Sequence, residues 1–485
     1  MAVLWILLGL LALFALVLVG NAVRVRRRAR PLGPKPAPVP RERQQQYAQG
    51  LGEMVRCATV SRKGKPHEDA EFARLRAAVE RLFPTFHARA EKRTFSDDCW
   101  VYRLPGKDNS RRVMLMSHHD VVAAGGTWAH PPFAGEVADG RVWGRGTVDT
   151  KGPLYAEFQA LEELLQSGWT PPCDVYLASS HNEEYAGDGI PLAVEYFKQR
   201  GEDFALILDE GGAVIAPPLP GVSCKCAMLA VHEKGRCALT CTAADGASHG
   251  GLAPKKETPV VRLSRFIAAV SQKPPFIKRL YPEVRAMFEA LCPYMSFPLR
   301  LVFANLWCFG PLIVRLMPAL NPQAGAMVGT QCAFTDIATG EKDGGKACTA
   351  RAFLRCVDGE DLQRDMAAFT ALAGRFGVEV APGDERDWHA PADMSRPGFG
   401  AVKQCVEACF PHTACAPFLL PAGTDARHFT DICPCVIRFA PIDIDPQQFS
   451  SVHGPDENLG VEALAGAVDF YKYFLTHGLE QAVGG

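Results

Sequence analysis

The strongest constraint on this chain is a series of apolar runs, each ending in an acid or an imidazole. Residues 113–116 are an apolar run that leads into Ser117-His118-His119-Asp120. Residues 175–178 lead into Ser179-Ser180-His181-Asn182-Glu183-Glu184, and 205–208 into Asp209-Glu210-Gly211-Gly212. Helical patterns over 151–167 and 191–199 alternate with them. Apolar strands alternating with helices predict an α/β fold with buried parallel strands. Functional groups in such a sheet gather at the carboxyl ends of the strands. The strand period of two puts His118 and Asp120 on one face. There an imidazole can bind an ion while a carboxylate orients a ring.

Two further segments extend the set. Gly144-Arg145-Gly146-Thr147-Val148-Asp149-Thr150-Lys151-Gly152 places Asp149 in a Gly-rich turn before the long helix. Ser451-Val452-His453-Gly454 lies in a late loop. Two imidazoles and three carboxylates suit two divalent ions that share one carboxylate. Nitrogen and oxygen donors without a thiolate favour catalytic zinc, with cobalt or manganese compatible.

The N-terminus sets a different constraint. Residues 3–19 are apolar without interruption, close to the roughly 20 residues that span a bilayer. The charges Arg24, Arg26, Arg27, Arg28 and Arg30 follow the run instead of preceding it. A secretory signal carries its charges in front. Residues 1–23 are therefore expected to be an uncleaved single-pass anchor. The positive-inside rule favours a cytoplasmic catalytic side; the alternative is an exported domain behind a cleaved signal. A basic, Pro-rich tether follows over 24–44. Residues 44–83 look helical, and 45–234 form the first part of one domain. An α+β domain is inserted at 235–388, and 389–485 completes the first domain. Within the insertion, 275–330 reads as irregular and rich in proline and aromatics.

Composition narrows the class. A net charge of -1 shows no basic excess, so no nucleic-acid partner is expected. The 17 cysteines have neither zinc-finger nor disulfide-framework spacing, and read as buried thiols in a reducing compartment.

Together these segments resemble the zinc aminoacylase/carboxypeptidase family, and within it carboxypeptidase S and the N-acyl-amino-acid hydrolases. The similarity also takes in Glu233-Lys234-Gly235 and Ala422-Gly423-Thr424-Asp425-Ala426-Arg427-His428-Phe429. It runs in the family's order over about 45–480. The resemblance implies a di-metal exopeptidase-like catalytic domain. His118 and Asp209 would hold one metal and Glu184 and His453 the other, with Asp149 bridging. Asp120 would orient His118, and Glu183 would be the general base. The inserted domain would be a lid and homodimer surface, with His249 stabilising the oxyanion. Arg427 and Arg355 would bind the substrate carboxylate. His119 and His181 are read as packing groups. The implied reaction is hydrolysis of the C-terminal amide bond of dipeptides, small peptides or N-acyl amino acids.

One departure concerns the lid. Where the family carries an Asn-Val-Ile-Pro-like stretch, this chain has Gly344-Gly345-Lys346-Ala347-Cys348. That puts the substrate class in question more than the chemistry. Two rival readings exist. Gly246-Ala247-Ser248-His249-Gly250 matches a serine-hydrolase elbow, but that motif needs a helix starting at the serine. The other rival is an inactive, membrane-anchored binding protein on the same fold.

Overall fold

The alternating pattern folds into a nine-stranded mixed sheet in a computed structural model that describes residues 1–64, 69–245, 257–320 and 322–484. Across the sheet the main path runs Glu91–Phe95, Cys99–Leu104, Cys173–Ser179, Asp108–Met116, Leu206–Asp209, Val436–Arg438, Cys226–Glu233, Ala414–Leu420. The four central strands, from Cys173–Ser179 to Val436–Arg438, are mutually parallel. The strands at the first edge are antiparallel. The expectation of a parallel sheet therefore holds at the centre, where the strands carry buried apolar runs such as residues 113–116 and 206–208.

Helices cover both faces. Arg41–Val55, Lys151–Gln166, Pro397–Cys409 and Val461–Tyr473 pack on one side through Leu51, Leu154, Phe158, Val402 and Phe470. Gly189–Arg200 covers the other with Ile190, Val194 and Phe197. Lys151–Gln166 starts directly after the Asp149 turn, so that turn is anchored by a helix buried along most of its length.

A second, four-stranded antiparallel sheet has the order Gln331–Lys342, Gly345–Cys356, Gly235–Ala244, Glu379–Asp387. Helices Pro259–Gln272 and Gly359–Gly374 close its core around Phe266 and Phe369. Thr258 caps the first of these, its hydroxyl accepting from Val261 N at 3.5 Å, with Pro259 in the first turn as such starts favour.

Two regions differ from the reading of the sequence. Residues 44–83 are two helices, Arg41–Val55 and Asp69–Leu82, with a non-helical turn after Val55. Residues 275–330 are largely helical, not irregular: Pro282–Leu291, Phe297–Phe303, Leu306–Leu320 and Pro322–Ala326. Their prolines sit in first turns at Pro282 and Pro298, where the missing N–H costs nothing. Pro311 and Pro318 lie inside the third helix. The segment after Arg30 lies along the globular part, with Gly33 N donating to Pro411 O at 2.9 Å and Lys35 pairing with Glu462 at 2.8 Å.

Leu177 is fully enclosed at the centre of the sheet. Leu177→Ala is expected to cost about 2–5 kcal/mol in chemical denaturation. A loss below about 1 kcal/mol, the range of ordinary substitutions, would contradict this packing.

Candidate metal centre

The carboxyl ends of three parallel strands meet at one point. Asp108–Met116 delivers His118 and Asp120, Cys173–Ser179 delivers Glu183 and Glu184, and Leu206–Asp209 delivers Glu210. Asp149 comes in from the turn before the helix Lys151–Gln166, and His453 from the loop after Pro446–Ser451.

Asp149 stands at the centre. Its Oδ1 lies 2.9 Å from His118 Nε2, and its Oδ2 lies 3.0 Å from His453 Nε2. His453 Nε2 is also 3.1 Å from Glu184 Oε2. Two ligand sets result, each with its donor atoms within 4.8 Å of one another: His118, Asp149 and Glu210, and Asp149, Glu184 and His453. His453 has a φ of 60°, in the left-handed region that His enters more readily than most residues.

Asp120 ties two strand ends together. It lies 3.2 Å from His118 Nδ1 and accepts from Glu183 N at 3.3 Å and Glu184 N at 3.2 Å. Ser61 Oγ donates to it as well. Glu184 accepts from Val122 N at 3.1 Å.

The expected ligand Asp209 does not join these groups. It ends its strand, is almost fully buried, and accepts from Ala426 N at 3.1 Å. Burial, reinforced by the neighbouring Asp425, pushes it up to about 6. Glu210, one residue on, stands with His118 and Asp149. The physical reason is parity: one step along an extended chain reverses the side chain's direction.

The electrostatics suit a positively charged ligand. Burial pushes Glu183 well above the usual carboxylate range, and the charges of Asp425, Glu210 and Glu184 push the same way. Burial likewise raises Glu210, with Asp149 and Asp209 adding to it. Burial opposes ionisation of Asp149 too, but hydrogen bonds from His118 and His453 hold it below its usual value. Hydrogen bonds to Asp149 and Glu184 raise His453 to about 10. Carboxylates crowded this closely cannot all ionise without cations. A donor set of imidazole and carboxylate, with no thiol among these residues, therefore fits divalent ions.

The groups open on a cavity of about 300 Å³. Leu420, Ile442, Ile444, Phe449 and Val452 give it an apolar wall. Arg427 is buried nearby, pairs with Asp387 at 2.8 Å and donates to Thr424 O at 2.6 Å. Arg355 donates to Pro421 O at 3.4 Å; burial, with the adjacent charges of Arg236 and Arg427, keeps it below its usual range. His119 stacks on Trp100 with ring centroids 4.0 Å apart and meets Ser179 Oγ at 2.8 Å. His181 lies edge-on to Phe72. His249 and Ser248 lie outside the described residues.

Glu457 is a residue that sequence reasoning missed. It is fully buried, pairs with Arg145 at 2.5 Å, and accepts from Val148 N at 2.9 Å and Asp149 N at 3.1 Å. It fixes the turn that aims Asp149. Its only sequence signal is its closeness to His453. Glu457→Ala leaves Arg145 buried without its partner, and is expected to cost roughly 3–5 kcal/mol in denaturant unfolding. A neutral effect would show that the pair does not hold the turn.

Comparison with known proteins places the chain. Residues 114–477 match the profile of the family described as peptidase family M20/M25/M40. A probable carboxypeptidase S-like 2 of Dictyostelium discoideum is 28% identical, covering 84% of this chain and 79% of that protein. The N-fatty-acyl-amino acid synthase/hydrolase PM20D1 of Xenopus tropicalis is 29% identical over 96% of this chain and 92% of that protein. The M20 family metallo-carboxypeptidase Sso-CP2 from Sulfolobus solfataricus shares the fold with a TM-score of 0.63 at 16% identity, covering 89% of this chain and 98% of that one.

Proposed function

The chain belongs to peptidase family M20/M25/M40, and we propose that it is a two-metal hydrolase of the C-terminal amide bond of dipeptides, small peptides or N-acyl amino acids. The observation that carries this reading is Asp149, whose two oxygens face two separate ligand sets. His118, Asp149 and Glu210 would hold one divalent ion, and Asp149, Glu184 and His453 the other. Glu210 here replaces Asp209. Zinc suits this donor set. When bound, the ions supply Lewis-acid polarisation of the amide carbonyl and acidify water.

The remaining roles fall to the chain itself. Glu183 takes a proton on its carboxylate and returns it to the leaving nitrogen. Burial, with like charges around it, raises it above the usual carboxylate range, and perturbed carboxylates of this kind serve as bases. Asp120 holds the His118 ring by Nδ1, leaving Nε2 directed at the centre. Arg427, paired with Asp387, and Arg355, bonded to Pro421 O, would offer guanidinium forks to a substrate carboxylate. The apolar wall of the cavity gives an acyl chain or an apolar side chain a place to lie. Relatives named for carboxypeptidase S and for N-fatty-acyl-amino acid hydrolysis fit the two substrate classes. The N-terminal helix is long and apolar enough to cross a membrane, and we read it as an anchor with the catalytic side cytoplasmic.

The test is hydrolysis of a Gly-X dipeptide and of a long-chain N-acyl amino acid by the zinc-loaded chain. Glu183→Ala is expected to retain its metal and lose about 10²–10⁴-fold in kcat. Wild-type turnover by that variant would remove Glu183 from the mechanism. Arg427→Lys is expected to raise KM for the better substrate while leaving kcat nearly unchanged, because it loses the two-pronged contact. An unchanged KM would free Arg427 from substrate binding.

A further inference from the structure

The N-terminal helix Ala2–Arg27 does not end in a loose leash. Asn21 Nδ2 donates to Asn305 Oδ1 at 2.9 Å, and Asn305 Nδ2 donates to the Leu18 carbonyl at 3.1 Å. Arg26 donates to the Pro293 carbonyl at 3.1 Å, and the Tyr294 hydroxyl donates to the Arg30 carbonyl at 3.3 Å. Higher on the helix, Phe14 meets Trp307 edge to face with ring centroids 6.0 Å apart. Phe14 precedes Asn21 by seven positions, about 10 Å along a helix axis. Trp307, whose Nε1 also donates to Asn305 Oδ1 at 3.3 Å, therefore reaches from the polar contact at Asn21 to the apolar part of the candidate span at Phe14.

Trp307 opens the helix Leu306–Leu320, which follows Phe297–Phe303 at a bend of 103°. The outward face of the longer helix is apolar apart from the exposed Arg315. Trp307 is 60% exposed, Leu312 52%, Leu316 51% and Leu320 65%. These residues recur at a spacing of four to five, so they form one stripe. The opposite face, with Leu306, Ile313, Val314 and Met317, is buried against the globular part. Between Glu289 and Asp336 the only charged residues are Arg300 and Arg315. A water-facing helix would carry charge on its outer face, and an exposed apolar stripe of this kind marks an interaction surface.

We infer that the bent pair Phe297–Phe303 and Leu306–Leu320 lies in the bilayer interface beside the N-terminal helix, so that two elements hold the globular part against the membrane. The partner is a lipid surface because the stripe is continuous, through Trp307 and Phe14, with a helix of membrane-spanning length and composition. Tryptophan favours that depth, and Arg315 can reach back to the headgroups along its own stem. With Arg24, Arg27 and Arg28 beside the same boundary, the surface suits anionic lipid. The inference rests on reading Ala2–Arg27 as an anchor, not on the catalytic reading.

The test uses the full chain reconstituted in phosphatidylcholine/phosphatidylglycerol vesicles containing a diazirine-bearing phospholipid. After irradiation, adducts are mapped by mass spectrometry. Adducts are expected on the N-terminal helix and on residues 306–320, and absent from the enclosed helix Val461–Tyr473. The double variant Leu312→Glu/Leu316→Glu should lose the adducts on 306–320 while keeping those on the N-terminal helix. Its hydrolytic activity toward a soluble dipeptide should be unchanged, which shows that it folds. Adducts confined to the N-terminal helix would overturn the inference, as would cross-links between copies through 306–320 without lipid adducts. A mature chain lacking the N-terminal helix would overturn the anchor reading and the inference with it.

Discussion

Crowding of buried and half-buried carboxylates is the constraint on which the site depends. Asp120, Asp149, Glu183, Glu184 and Glu210 converge at the ends of parallel strands, with Asp209 and Asp425 close behind. Each repels its neighbours, and burial magnifies the cost. The chain relieves part of it by aiming donors at individual carboxylates. Asp120 receives two backbone N–H groups and a serine hydroxyl. Glu184 receives Val122 N, and Asp209 receives Ala426 N. Imidazoles from opposite ends of the sequence flank Asp149. What remains is negative charge directed at two small volumes, which is the condition that a pair of divalent cations satisfies.

Holding that arrangement needs rigid supports, and the fold supplies them from a distance. The Asp149 turn is pinned on one side by the buried helix that follows it and on the other by Glu457, which accepts its backbone N–H groups. Arg145 neutralises Glu457 inside the protein. Breaking such a buried pair leaves a bare charge, so a residue distant from Asp149 in the sequence sets the aim of the central carboxylate. Glu233 plays a similar part beneath the cavity, accepting from Thr424 N at 3.0 Å and pairing with Arg438 at 3.1 Å.

Much of this was legible in the sequence. Apolar runs ending in His or acid revealed both the sheet and the face on which its groups would gather. Asp209 against Glu210 was not decidable there. Both are acids at the same strand end, and which one faces the centre depends on where the strand stops, a single step that no composition records. Glu457 was invisible because its role is to meet a backbone turn over 300 positions earlier. Over residues 275–330 prolines and aromatics obscure the helical period in the sequence. In the fold Pro282 and Pro298 begin helices while Pro311 and Pro318 lie within one, and Trp307, Leu312, Leu316 and Leu320 face outward. His119 and His181 sit among aromatic rings behind the strand ends, where imidazoles pack as flat, partly apolar groups.

The central claim is that Asp149 is shared by two cation sites, one completed by Glu210 and the other by His453. It is tested most directly by zinc stoichiometry, from elemental analysis of the purified full chain and of Glu210→Ala, Asp209→Ala, His453→Ala and Asp149→Ala. Two zinc ions are expected in the wild-type chain, one in Glu210→Ala and in His453→Ala, two in Asp209→Ala, and none held tightly in Asp149→Ala. A wild-type chain that takes up no zinc, or a Glu210→Ala variant that still holds both ions, would contradict it.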